Sequence, residues 1–161
     1  PSFSVEGESG MAIYGLRVVS FIFAALAFVP AGAHLFSMLN KLKLDGTSYL
    51  AAQRAYDGWS LFGSLVLGAL LSSAALAVVL YRSGGAFGLV ALAFIAIGAT
   101  QFVFWSFTFP ANRATRNWTM LPDNWEMLRR QWEYSHAAAA CLNALALLLL
   151  FLAALRRDAG V

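Results

Sequence analysis

Residues 129–155 read RRQWEYSHAAAACLNALALLLLFLAAL. A charged, aromatic head, Arg129 to His136, runs directly into a stretch where Asn143 is the sole polar side chain. At 1.5 Å per residue that apolar tail matches the roughly 30 Å hydrocarbon core of a bilayer. The head is a helix start that ends on a histidine. This predicts a membrane helix whose first turns stand at the surface, with chemistry gathered at that end.

The rest of the chain agrees. Of 161 residues, 60% are hydrophobic and 12% charged, and the mean hydropathy is +0.69. Soluble domains carry about 25% charged residues. Three further apolar runs, about 14–39, 59–80 and 87–109, are each long enough to span a bilayer. With the fourth, about 124–155, they predict an all-α, integral membrane four-helix up-down bundle. The fourth helix, about 33 residues or roughly 50 Å, is expected to protrude on the side opposite the termini. Residues 1–10, PSFSVEGESG, read as a remnant ahead of a natural start at Met11, leaving one domain over 11–161. The net charge of +3 is spread along the chain, which leaves no nucleic-acid footprint. A single cysteine, Cys141, forms no internal disulfide and is expected to be a small buried thiol.

The connection YRSGGA between the second and third spans is a tight turn, whereas 40–58 and 110–123 are longer and polar. Both longer connections fall on the side away from the termini. Many basic residues there have acidic neighbours, so the termini are expected in the cytoplasm. Asp123 with Glu126 forms a capping-box pattern for the fourth helix. Glu126 with Arg130, and Arg129 with Glu133, are pairs at i,i+4.

Polar stripes point to a site. The third span carries Gln101, Trp105, Thr108 and Asn112 at spacings of 4, 3 and 4, with Pro110 expected to end or kink the helix inside the stripe. The fourth carries Trp125, Arg129, Trp132 and His136 at the same spacings, with Asn143 seven further on. The first carries Pro30, His34 and Met38. A polar face in a bilayer turns toward protein or water rather than lipid, so these faces are expected to meet. His34 and His136 fall at similar depth on neighbouring helices. On the second span, Ser64, Gly68 and Ser72 form a small-residue stripe suited to close packing, within the bundle or between subunits of a homo-oligomer.

The segments VPAGAHLFSMLNKLKLD, YLAAQRAYDGW, FWSFTFPANRATRNWT and NWEMLRRQWEYSHA resemble a family of small four-span bacterial membrane proteins of unknown function. That family is related to fungal anthrone oxygenases. The resemblance covers nearly the whole chain from Met11. Its most specific parts are Pro110-x-Asn112 and Trp132-x3-His136. It implies oxidation of an acidic aromatic compound without metal or flavin. His136 would be the base, with Glu133 or Asn112 orienting it. Arg129 or Gln101 would stabilise the enolate, and Trp105 and Trp132 would line the slot. His34 and Trp125 join this set as substrate contacts. Two alternatives stay open: a non-catalytic module binding a lipid, a quinone or a similar small hydrophobic ligand, and a b-type haem protein ligated by His34 and His136.

Overall fold

The computed structural model describes residues 2–81 and 86–156, with side chains from residue 10 onward. The described residues are helical, with no strand. The helices are α1 (Ser2–Lys41), α2 (Gly46–Gln53), α3 (Gly63–Leu80), α4 (Phe87–Val103), α5 (Phe109–Ala114) and α6 (Trp125–Leu155). Four stretches, Gly10–Lys41, Trp59–Leu80, Phe87–Ala114 and Trp125–Leu155, are long and apolar enough to cross a membrane.

Each long helix packs against two others: α1 on α3 and α6, and α4 on α3 and α6. The seam is made of small residues, including Ala24, Ala69, Ala93 and Ala146, with Leu76, Val90 and Leu150 between them. Small side chains let helix axes approach where lipid supplies no hydrophobic force between helices. Gly68 shows how close that approach is. A Cβ there would lie 2.5 Å from the Phe23 ring of α1, so Gly68 serves contact within the chain. Ser72 is buried beside it, while Ser64 is exposed. The large apolar side chains point the other way, Val78 and Phe102 being 77% and 69% exposed. A surface of this kind needs lipid around it.

Several local expectations are corrected. Cys141 is exposed, because the apolar run of α6 is greasy all round and its outer face also carries apolar residues. The capping box does not form. Asn124 precedes α6 without a side-chain cap, and Trp125 N–H donates to the Pro122 carbonyl at 2.9 Å. Pro110 neither ends the helix nor stops its stripe. Residues Phe104–Thr108 form a π-helical turn, and helix resumes through Ala114. The wider turn accommodates the missing N–H and the proline ring. Gln131 Nε2 donates to the Phe107 carbonyl there at 2.8 Å.

The connection 40–58 is folded rather than loose. Asp45 caps α2, its carboxylate accepting from Ser48 N–H at 3.0 Å and from the Ser48 hydroxyl at 2.7 Å. Those bonds hold the Asp45 carboxyl below its ordinary value. The second connection turns through Arg116, Asn117 and Trp118, all at positive φ (48°, 55° and 58°). Three consecutive non-glycine residues in this region carry strain. Arg54 Nη2 holds the turn, donating to the carbonyls of Asn117 and Trp118, each at 3.0 Å.

Candidate functional site

One end of the bundle is built from aromatic rings. His34 of α1 is 6% exposed and stacks on His136 of α6, with ring centroids 4.2 Å apart and planes at 26°. Tyr56 lies 4.2 Å from the His34 ring, Trp132 5.0 Å and Trp59 5.5 Å. Trp132 is also 4.1 Å from His136. The two histidines, placed by the sequence only at similar depth on neighbouring helices, are therefore in contact. Among the described residues neither His136 nitrogen has a hydrogen-bond partner, and the half-buried ring borders open space. His34 differs: its Nδ1 is buried without a partner.

These rings border a cavity of about 510 Å³. That is the size of a small-molecule site, which spans roughly 300–1,000 Å³. Its wall also includes Gln53, Gln101, Asn112, Trp118 and Asn143. The π-helical turn and α5 carry the α4 stripe past Pro110. Thr108 then meets Ser135 hydroxyl to hydroxyl at 2.7 Å, and Asn112 Oδ1 accepts from Trp132 Nε1 at 2.7 Å. That bond fixes the Trp132 ring against the histidines and leaves the Asn112 amide N–H₂ free of a protein partner.

Behind the aromatic wall lies a buried charge network. Glu133, fully buried, pairs with Lys41 Nζ at 3.0 Å and accepts from the Tyr49 hydroxyl at 2.9 Å. Gln53 Nε2 donates to that same hydroxyl at 2.6 Å. The direction is forced: a carboxylate only accepts, so Tyr49 donates to it and must accept from Gln53. Burial, reinforced by the Glu133 charge, raises the Tyr49 hydroxyl far above its ordinary value, so it stays a donor. Lys41 sits 4.8 Å from the Tyr56 ring and 5.0 Å from the Trp132 ring, which separate its charge from the cavity.

The expected site residues divide accordingly. His34, Gln101, Asn112, Trp132 and His136 border the cavity. Glu133 and Arg129 do not. The expected Arg129–Glu133 pair is replaced by Lys41–Glu133, because Glu133 faces inward where the end of α1 arrives. Arg129 instead donates to the Leu44 carbonyl at 2.6 Å and lies over the Trp125 ring at 4.6 Å. Glu126 and Arg130 are exposed and form no ion pair among the described residues. Trp125 packs on Tyr49 away from the cavity. Trp105 is 59% exposed, packed on Phe104 and Phe109 at the outer surface. Lys41, Tyr49, Gln53, Tyr56 and Trp118 were not singled out by periodicity. The Asp45–Ser48 cap signal would have placed a helix over Tyr49 and Gln53, at i,i+4 on one face.

The stacked histidines do not fit axial ligation of a haem. Axial imidazoles address the iron from opposite faces of the macrocycle, whereas these rings lie face against face with no gap for one. Among the described residues no three His, Cys, Asp or Glu side chains converge. No protein-family model, no curated protein and no solved structure matches the chain.

Proposed function

We propose that this chain is a four-span inner-membrane protein that binds a small planar aromatic or quinone-like compound against His136. The helices run up and down, with both termini in the cytoplasm. At 31 residues, or about 46 Å, α6 exceeds the bilayer core and extends beyond it on the far side. The observation that carries the reading is the unpartnered imidazole of His136, stacked on His34 and packed by Trp132, beside a cavity of about 510 Å³ whose wall also includes Trp59. Aromatic walls suit a flat ring, and an unpartnered imidazole suits an acidic proton.

The chemistry that fits is cofactor-free oxidation of an anthrone-type compound. His136 takes a proton from the activated ring carbon. The Asn112 amide N–H₂, free on the cavity side, donates to the enolate oxygen. The enolate gives its electrons to dioxygen, and proton return yields a hydroperoxide. Loss of water from that species leaves the ketone. One oxygen atom enters the product and the other leaves as water. Glu133 acts as a positioning residue, holding Lys41 and Tyr49 behind the wall.

The test is anthrone in air-saturated detergent, followed by the absorbance of the quinone product. His136→Ala should lower the protein-dependent rate by about 10² or more, the usual contribution of a general base. An unchanged rate would refute the catalytic role. Binding without turnover by the wild type would leave a ligand-binding site and remove the oxygenase reading.

A further inference from the structure

Asn143 lies on α6 seven residues beyond His136, on the same face and about 10 Å further into the apolar run. It is 5% exposed and borders the cavity. Its amide has no hydrogen-bond partner among the described residues, yet neither amide atom is sealed off from open space. Several other polar groups at membrane depth are satisfied within their own helices. The hydroxyls of Ser20, Ser72 and Ser73 each donate to the carbonyl four residues back, at 2.8, 2.7 and 2.6 Å. Thr100 donates to the Ile97 carbonyl at 2.7 Å. An asparagine amide carries two N–H donors and an acceptor, more than one backbone carbonyl satisfies, and in hydrocarbon it is costly unless met by another polar group. Gln101, also on the cavity wall, reaches only Thr100, at a long 3.4 Å. The cavity wall beyond the histidines therefore holds spare amide donors and acceptors.

We infer that Asn143 forms a second, deep polar subsite, so that the ligand is an elongated planar aromatic compound with a polar group at each end. One end meets His136 and the other meets Asn143. The inference rests on the aromatic-binding reading above and adds the length and two-ended polarity of the ligand. It also gives the cavity a direction, with the compound lying along α6 rather than flat across the bundle end. Pro30 and Ala27 of α1 and Ala139 of α6 form the smooth walls between the two polar ends.

Two probes separate the ideas: 2-naphthol, polar at one end, and 2,6-dihydroxynaphthalene, polar at both. Binding is read by quenching of tryptophan emission, since Trp59, Trp118 and Trp132 border the cavity. The wild type should bind the dihydroxy compound about tenfold more tightly, the value of one added buried hydrogen bond. In Asn143→Leu the preference should vanish, while 2-naphthol keeps its wild-type affinity within about twofold. Asn143→Ala should behave alike if the leucine variant does not fold. Equal wild-type affinities would mean that the deep amides hold water only, and would overturn the inference while leaving the aromatic site intact. A preference that survives both substitutions would also overturn it. Failure of both probes to bind the wild type would sink the aromatic-binding reading, and the deep subsite with it.

Discussion

Breaking the Lys41–Glu133 pair should cost far more than removing it whole. The two side chains are 6% and 0% exposed, so water screens their 3.0 Å contact very little. Lys41→Met leaves a buried carboxylate with only the Tyr49 hydroxyl as partner. Glu133→Gln keeps an acceptor for Tyr49 but leaves a buried ammonium with no counter-charge. Stranding one member of a buried pair costs about 3–5 kcal/mol. The double variant strands neither charge and retains the Tyr49 bond, so it should lie within about 1 kcal/mol of wild type. The coupling between the sites is then about 3 kcal/mol or more. The assay is unfolding in detergent micelles, followed by far-ultraviolet circular dichroism and by tryptophan emission. Trp132 lies beneath the Lys41 charge and should report the single changes directly. Additive single losses of under about 1 kcal/mol each would refute the reasoning and make the network a hydrated one.

Three smaller perturbations test other parts of the architecture. Gly68→Ala pushes a methyl into the Phe23 ring and should destabilise by about 1–3 kcal/mol in the same unfolding assay, with Phe23→Leu restoring most of it. Arg54→Ala releases the carbonyls that hold the left-handed turn at 116–118, so Trp118 should become exposed and its emission shift to the red. Asp45 has a folded value below its ordinary 3.8, so its cap stabilises α2 fully above that value and is lost as pH falls through the lower folded one. Asp45→Ala should erase that acid-side dependence, measured as the melting temperature across the window.

The four spans were legible because apolar length alone identifies them. The similar depth of His34 and His136 on neighbouring helices was legible too, whereas their contact depends on helix rotation, which the sequence leaves open. Facing was harder. A helix that is apolar all round shows no periodicity, so nothing marked Cys141 as outward. At α-helical spacing Trp105 shares a face with Gln101 and Thr108. The π-helical turn alters that spacing beneath it and leaves Trp105 at the outer surface. Lys41 and Tyr49 belong to a polar connection where composition says loop. Their role arises only when α2 folds back over Glu133, a long-range contact that no local pattern encodes.

The account turns on whether the cavity at the histidine pair takes a planar aromatic compound. The most direct measurement is a titration of the purified protein with 1,4-naphthoquinone, read by tryptophan quenching, beside the variant Ala139→Phe. Ala139 lies on the cavity wall between His136 and Asn143, so a phenyl ring there fills the space where the compound would lie. The account predicts saturable, single-site quenching in the wild type and its loss in a variant that melts at a similar temperature. Equal quenching in both proteins, or a linear response showing only partition into detergent, would contradict it.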